Sequence, residues 1–180
     1  MKKGNYTTNI FMKECIAQAL SKLIETKPLS DIKITELARI AGVSRMTYYR
    51  NFNSKEEIFF SYFDFILRRY DEAEGYLQPF GIYHDMEHMI HYFRFVLEHK
   101  DFLYAVVNNG YGNIFLAAIT DYIVKKWLKN ENDQTEYYTL CAFSGSLYGL
   151  YVSWAKNDFK ESPEEMAEIL INIHGDNSHL

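Results

Sequence analysis

Apolar side chains recur with a helical period along most of the chain. In the first such stretch, four of them stand at i, i+4, i+7 and i+8: Ile16, Leu20, Leu23 and Ile24. This spacing lines one face of an α-helix, whereas the strict alternation that is typical of β-strands is nowhere sustained. The pattern predicts an all-α protein.

Start and stop signals divide this pattern into about nine helices. Pro28 ends the first helix because the residue before a proline avoids helical backbone angles, and Gly42 closes the second. Ser44 is predicted to cap the third helix, and Ser54 with Glu57 forms a capping-box pattern at the start of the fourth. The predicted helices cover about residues 8–26, 34–41, 45–51, 55–77, 84–98, 101–108, 111–129, 134–156 and 163–173.

Composition indicates a small globular protein. The chain has 180 residues, 48% of them hydrophobic, a size that is typical of one domain or of a small domain joined to a larger one. Its two cysteines are too few for a disulfide scaffold. We expect a cytoplasmic protein without a membrane span, because no run approaches eighteen apolar residues and the first residues lack the apolar core of a signal peptide.

Charge is distributed unevenly along the chain. Residues 1–55 carry ten Lys or Arg and four Asp or Glu, whereas residues 56–180 carry nine and twenty. A basic segment in an acidic chain is typical of a site for an anionic partner. Chance variation in a short segment is the alternative, and charge alone does not decide between the two.

A motif in the basic segment indicates what that partner is. Residues 34–52 read as two short helices joined by the tight turn Ala41-Gly42-Val43-Ser44, the outline of a helix-turn-helix. In that geometry the second helix enters the major groove of DNA, and its first residues, Ser44 to Thr47, reach the edges of the bases. Arg45 suits guanine, which presents two adjacent acceptors.

The same segment resembles the TetR family of bacterial regulators over about residues 10–60. The matching residues are Leu37-Ala38, Ala41-Gly42-Val43-Ser44, Thr47, Tyr49, Phe52 and Lys55-Glu56-Glu57. The phrase Phe159-Lys160-Glu161-Ser162-Pro163-Glu164-Glu165-Met166 also resembles members from low-GC Gram-positive bacteria. The resemblance implies a helix-turn-helix domain at residues 1–55 and a larger helical dimerisation and ligand-binding domain at residues 56–180.

The resemblance also implies which residues bind DNA. Phosphate contacts fall to Thr47, Tyr49 and Lys55, joined by Thr35 and Asn51, and the base-reading positions hold Arg45 and Met46. The full set of expected DNA-binding residues is Thr35, Ser44, Arg45, Met46, Thr47, Tyr49, Asn51 and Lys55. A dimer that binds a palindromic operator in double-stranded DNA, and a repressor released by a small molecule, are the roles that the family suggests.

Several residues of the motif depart from the family pattern or have another interpretation. Lys33 stands where a capping Ser or Thr is frequent, which predicts a looser start of the second helix. Asn51 stands where histidine is common, and Met46 where glycine is frequent. Tyr49 has a second interpretation, in which it packs against the first helix. The sequence predicts that Tyr48, Phe52, Leu37, Ala38 and Val43 belong to the core.

A strip of small residues on the predicted helix 134–156 suggests how two copies meet. It comprises Ala142, Ser144, Gly145, Ser146, Gly149 and Ser153. Gly145 and Gly149 lie one turn apart, so a second helix can approach closely there. With the helix that follows Pro163, this strip is predicted to build a four-helix bundle with a second copy. The alternative is that the strip packs against a helix of its own chain.

Aromatic side chains crowd residues 59–127, and a pocket lined by them would take a small apolar or aromatic ligand. Plain hydrophobic core is the alternative interpretation of the same residues. His84, His88 and His91 fall on one helix face, where two of them could share a metal ion. We interpret that face as merely polar and expect neither a metal nor a cofactor.

Other function classes fit the sequence less well. It lacks a glycine-rich phosphate loop and any nucleophile spacing that a known chemistry requires, so we do not expect an enzyme. Cys141 lies among apolar residues and is interpreted as core. The remaining alternative is a helix-turn-helix-derived co-regulator that acts through a protein partner.

Overall fold

The computed structural model describes residues 3–74 and 86–174. Within those ranges it contains nine α-helices and no β-strand, which confirms the all-α fold class. The helices are α1 (Lys3–Ile24), α2 (Ile34–Ile40), α3 (Arg45–Asn51), α4 (Glu56–Glu74), α5 (Met86–Glu98), α6 (Lys100–Val106), α7 (Gly112–Trp127), α8 (Gln134–Lys156) and α9 (Pro163–His174). A 3-10 turn, Leu29–Asp31, precedes α2.

The chain forms two compact units. One comprises Met1–Leu67 with Asp101–Phe115, and the other comprises Arg68–Lys100 with Leu116–Leu180. The helix α4 therefore contributes its first part to the first unit and its second part to the second. The division of the chain after residue 55 into a DNA-binding and a larger domain stays a prediction.

Helices α1, α2 and α3 pack around a small apolar core in the first unit. Tyr48, Phe52, Leu37 and Ala38 are buried, which confirms their predicted place in that core. Val43 is only half-buried. It lies in the turn between α2 and α3, where one side of the residue faces solvent.

Aromatic rings from α4 fill the rest of the first unit. The rings of Phe63 and Phe115 stack with their centroids 5.3 Å apart. Phe102 packs edge-on against both Phe63 and Tyr62. Phe59 is fully buried beside Tyr111. The structure therefore supports the interpretation of these rings as hydrophobic core, and not as the lining of a pocket.

A π-helical turn, Val107–Tyr111, connects α6 to α7 where the sequence predicts an ordinary connector. Gly110 has φ +86°, a left-handed conformation that side chains with a Cβ rarely adopt. The side-chain amide of Asn109 donates to the carbonyls of Ile24 and Ala105, both at 2.9 Å. Because Ile24 is the last residue of α1, this bond satisfies a carbonyl that has no partner within the helix.

The segment Lys100–Trp127 is long and apolar enough to cross a membrane by length and composition alone. The expectation of no membrane span rests on uninterrupted apolar runs, and polar residues interrupt this segment. Phe102, Leu103, Ile114 and Phe115 of this segment are buried inside the protein. Burial of these side chains is typical of a core helix.

The second unit is organised around α5, which packs against α9, while α8 also contacts α9. The ring of Phe93 on α5 meets Trp154 on α8 edge-on, with centroids 5.6 Å apart. The indole N–H of Trp154 donates to the carbonyl of Glu161 at 3.1 Å. Between α8 and α9, Asp158 and Phe159 both have positive φ, at 56° and 52°.

Histidines of α5 do not form the solvated polar face that the sequence suggests. His88 is buried, and the ring of His91 stacks on Tyr70 with centroids 4.5 Å apart. The polar-face interpretation is therefore wrong for His88, because α5 presents that side to the interior. His84 lies outside the described residues. Among the residues that are described, no group of three or more His, Cys, Asp or Glu is placed to hold a metal ion.

Candidate nucleic-acid interface

The start of α3 is fixed by a side-chain cap. The Ser44 hydroxyl accepts from the backbone N–H of Thr47 at 3.0 Å, which confirms the predicted cap. The same hydroxyl lies 2.9 Å from the Thr47 hydroxyl. Gly42 in the preceding turn has φ +68°, so the turn uses the left-handed freedom of glycine. The predicted reading helix thus begins at a defined residue and in a defined direction.

The outward side of α3 presents both apolar and basic groups. Met46 is 66% exposed and Tyr49 60% exposed, and Arg45 and Arg50 are exposed as well. The ring of Tyr49 rests edge-on against Tyr48, with centroids 5.3 Å apart. Tyr49 therefore lies on the surface of α3, and the alternative in which it is packed away against α1 does not describe this structure.

Two further candidates have hydrogen bonds within α3. The side-chain amide of Asn51 donates to the Thr47 carbonyl at 2.7 Å. Thr47 is half-buried, and its hydroxyl faces Ser44. Thr35, in the first turn of α2, is exposed. Five of the eight predicted DNA-binding residues are exposed: Thr35, Ser44, Arg45, Met46 and Tyr49. The side chains of Ser44, Thr47 and Asn51 also make hydrogen bonds within α3 or at its cap.

Lys55 lies apart from that group. Its ammonium donates to the carbonyls of Leu29, Ser30 and Ile32, and the Ser30 and Ile32 contacts measure 3.3 and 3.0 Å. These carbonyls belong to the 3-10 turn before α2 and the residue that follows it. Spacing along the sequence gives no signal of these contacts, because 23 to 26 residues separate the partners.

The start of α2 lacks a side-chain cap, in line with the departure at Lys33. No side-chain hydrogen bond is made by the N-cap residue Lys33. Instead, an ion pair joins the first turn of α2 to the segment that follows α1. It links Lys27 and Glu36, which are 2.6 Å apart and 31% exposed at both side chains. The looseness predicted from Lys33 is thus offset by a contact from another part of the chain.

Acidic groups occupy the start of α4. The backbone N–H of Glu57 donates to the Ser54 hydroxyl at 3.3 Å. The Glu57 carboxylate accepts from the backbone N–H of Asn53 at 2.7 Å, one residue earlier than the predicted capping box. This backbone hydrogen bond is the main reason that the pKa of Glu57 lies below its usual value. Two carboxylates, on Glu56 and Glu57, therefore already complement the positive end of the helix dipole.

Arg50 was not among the expected DNA-binding residues. It is exposed in the last turn of α3, on the same helix as Arg45 and Tyr49. Its charge and its place on α3 are a signal in the sequence, but the same features are equally typical of a solvated surface arginine.

Two family models match the chain. The model of bacterial regulatory proteins of the tetR family matches residues 16–62, and a model of a transcriptional regulator C-terminal region matches residues 85–175. The first match contains α2, α3 and the start of α4. The second contains α5 to α9, and it spans half of the chain.

Curated relatives match the N-terminal part. The HTH-type transcriptional regulator EthR of Mycolicibacterium smegmatis is 39% identical over 58 residues, and the EthR of Mycobacterium tuberculosis is 38% identical over the same length. These matches cover 32% of this chain and 27% of each relative. The chain therefore aligns with only about a quarter of the length of these relatives.

Solved structures of similar fold cover nearly the whole chain. The fatty acid degradation regulator FadR from Bacillus halodurans has a TM-score of 0.63 over 93% of this chain and 96% of its own, at 14% identity. The dihydroxyacetone kinase operon activator DhaS has a TM-score of 0.55 over 90% and 93%, also at 14% identity. At these identities the likeness shows the fold alone. The two family models establish that this chain belongs to the TetR family of DNA-binding transcriptional regulators.

Proposed function

We propose that this chain is a cytoplasmic homodimeric repressor that binds a palindromic operator through α3 and is released by a small molecule. The observation that carries the proposal is the exposed surface of α3, where Arg45, Met46 and Tyr49 project from a helix that is capped by Ser44. A guanidinium can bond to the paired acceptors of guanine, and a thioether can contact a thymine methyl. The Tyr49 hydroxyl suits a phosphate oxygen.

The surface of α8 and α9 supports the dimer. Gly145 and Gly149 are exposed, and a Cβ built on either would meet nothing within 4 Å. At these two positions the strip therefore leaves room for a second helix, which supports the dimer over packing against the same chain. One member differs, since Ser144 is buried and its hydroxyl donates to the Leu140 carbonyl at 2.8 Å.

Exposed apolar groups are also present on both helices. Tyr138 on α8 is 64% exposed, and Ile169 and Ile173 on α9 are 41% and 58% exposed. A second copy of the chain is the occupant that fits best, because a two-fold axis would bring the strip of small residues against itself. Two copies would place their α3 helices about 34 Å apart, one turn of DNA, on a palindromic site.

A cleft in the second unit supports the ligand part of the proposal. Its volume is about 180 Å³, and its walls include Arg69, Tyr70, His91, Arg94, Phe95 and His99. A small molecule with one aromatic or apolar part and one polar part matches such walls better than a purely apolar one. Binding there would favour one arrangement of the protein over another and thereby change operator affinity.

Selection of random double-stranded DNA by the purified protein, followed by sequencing, tests the proposal. The native chain should enrich a palindrome, and Arg45→Ala should change the preferred bases at one position of each half-site. Lys160→Ala, which removes an exposed positive charge from the segment before α9, is the matched control and should leave the motif intact. Enrichment of an asymmetric site would contradict the dimer, and no enrichment at any salt concentration would contradict operator binding.

The co-regulator that acts through a protein partner remains the alternative function. Met46 and Tyr49 are large exposed apolar groups that could equally well contact a protein. Salt distinguishes the two functions, because affinity for DNA falls steeply as salt rises whereas an apolar protein contact responds weakly. A partner that binds the native chain with the same affinity at low and high salt would favour the alternative.

A further inference from the structure

A continuous row of rings lines the cleft between α4 and α5. The ring of His91 stacks on Tyr70 with centroids 4.5 Å apart, and Phe95 meets Tyr70 edge-on at 5.1 Å. His99 continues the row, with its ring centroid 4.7 Å from that of Phe95. Rings prefer stacked or edge-on contacts with other rings. A planar aromatic group is therefore the apolar group that fits best beside this row.

Nitrogen donors outnumber acids along the polar walls of this cleft. Arg69 on α4 and Arg94 on α5 each bear a guanidinium with five N–H donors. Among the described residues that line the cleft, Glu98 is the only acid. A guanidinium binds carboxylate and phosphate groups with two parallel hydrogen bonds. The polar part of a fitting ligand is therefore an anion.

Two acids limit how much negative charge the cleft can accept. Glu98 lies in the wall itself, and the Glu164 carboxylate of α9 lies 2.7 Å from the guanidinium of Arg94. Both partners of that ion pair are exposed, so the pair contributes little and an added anion can compete for the arginine. A phosphate carries up to about two negative charges and would meet about twice the repulsion that a carboxylate meets. A group with a single negative charge is thus favoured.

We propose that this cleft binds a small aromatic monocarboxylate, with its ring beside Tyr70 and Phe95. Its carboxylate accepts hydrogen bonds from the guanidiniums of Arg69 and Arg94. The inference rests on the proposed role of this cleft as the ligand site, and it specifies the class of ligand. All of these residues belong to the second unit, so binding should occur in the absence of DNA.

Three probe molecules of similar size test the class of ligand on the full chain. Isothermal titration calorimetry should show saturable binding of benzoate. Benzamide keeps the ring and loses the charge, and it should bind about tenfold more weakly or worse, because hydrogen bonds to a charged group are the stronger ones. Cyclohexanecarboxylate keeps the charge and loses the flat ring, and it should also bind more weakly. Absence of saturable benzoate binding, or equal affinity for either analogue, would overturn the inference.

Variants of the walls test where the carboxylate lies. Arg69→Gln should weaken benzoate binding about tenfold and leave the affinity for benzamide nearly unchanged. Arg68→Gln removes the neighbouring exposed arginine of α4, which does not line the cleft, and is the matched control. Equal loss of benzoate affinity in the two variants would overturn the inference.

A gain of affinity provides a test that a misfolded variant cannot imitate. Glu98→Gln removes the negative charge that opposes the ligand, so it should strengthen benzoate binding several-fold and change benzamide binding little. Weaker or unchanged benzoate binding in Glu98→Gln would contradict a carboxylate at this place in the cleft.

Operator binding keeps this inference separate from the proposed function. Saturating benzoate that leaves operator affinity unchanged would contradict release by a ligand in this cleft, whereas the calorimetric results would still support the inference. Absence of benzoate binding would overturn the inference even if the native chain bound a palindromic operator.

Discussion

The side-chain amide of Asn109 donates to the carbonyl of Ile24 at 2.9 Å, across 85 residues of sequence. The donor lies in the π-helical turn between α6 and α7, and the acceptor is the final residue of α1. The turn thus closes the end of α1. This polar contact joins two parts of the first unit that are far apart in the sequence.

Asn109→Ala should lower the free energy of unfolding. The substitution leaves the carbonyl of Ile24 without this donor in a half-buried place, and we expect a loss of about 1 to 2 kcal/mol. Urea denaturation followed by circular dichroism measures it. Asn108→Ala, at the exposed neighbouring residue, is the control and should change stability little. Equal midpoints for the two variants would show that the bond to Ile24 contributes nothing.

Ser44 should act through its cap more than through a contact with DNA. Ser44→Ala removes the acceptor for the Thr47 N–H and should destabilise the protein by about 1 kcal/mol. Ser44→Asn can still cap the helix, so it should retain both stability and operator affinity. Thermal melts and DNA binding of the two variants provide the comparison. A stable Ser44→Asn protein that has lost its affinity would indicate a direct role of the hydroxyl on DNA.

The turn between α8 and α9 contains two residues with positive φ, and they should respond in opposite ways to glycine. Asp158 is exposed, so Asp158→Gly should relieve backbone strain and raise stability by up to about 1 kcal/mol. Phe159→Gly should lower it, because the ring packs against Trp154 with centroids 5.1 Å apart. Thermal unfolding of both variants checks the signs. A destabilised Asp158→Gly protein would mean that the aspartate makes a contact worth more than the strain.

His99 should make stability depend on pH. Burial, and to a smaller extent Arg69, lower its pKa below the ordinary value for histidine, although Glu98 acts in the opposite direction. Between the lowered folded pKa and the ordinary unfolded one, the unfolded chain binds more protons. The contribution of His99 is therefore fully present above the unfolded pKa of about 6.5 and is lost as pH falls toward the folded pKa.

A comparison with His99→Gln isolates this effect from the other histidines. Urea midpoints at pH 7.5 and pH 5.5 should differ more for the native chain than for the variant, which cannot titrate at this position. Each unit of pKa difference corresponds to about 1.4 kcal/mol, and partial exposure reduces the observed value. The same pH response in both proteins would contradict a lowered pKa at His99.

Gly149→Leu should disrupt the proposed dimer without unfolding the chain. A Cβ at this position meets no atom within 4 Å in the chain itself, and leucine favours helix more than glycine does. The variant should therefore keep its helical circular dichroism and become monomeric by sedimentation, with weaker operator binding. Thr135→Leu, at an exposed position of the first turn of α8, is the control. A dimeric Gly149→Leu protein would place the interface elsewhere.

Local signals made the helical part of this fold predictable. The periodicity around Ile16 predicts α1, the turn at Gly42 separates α2 from α3, and Ser44 marks the start of α3. Each of these features depends on residues within about one helical turn of each other. The burial of Tyr48 likewise followed from its place in the motif.

Contacts between distant residues were not predictable in this way. The carbonyl partners of Lys55 lie 23 to 26 residues earlier, so no local signal indicates them. The phosphate contact that the resemblance implies for Lys55 stays a prediction. His88 was interpreted as part of a polar face because periodicity does not say which face of α5 is covered. The sequence predicts a connector in place of the π-helical turn, because Gly110 is as typical of a loop as of a left-handed residue inside a helix.

The π-helical turn also affects whether the segment around it can insert into a membrane while the chain is being synthesised. Lys100–Trp127 is the stretch of the described chain that a membrane-insertion machinery could take for a spanning segment. Asn108, Asn109 and Gly110 stand near its middle, where hydrocarbon would surround them. Polar amides and a broken helical ladder are costly at bilayer depth. Asn109, which closes the end of α1 in the folded protein, thus belongs to a group that also disfavours the insertion of this segment into a membrane.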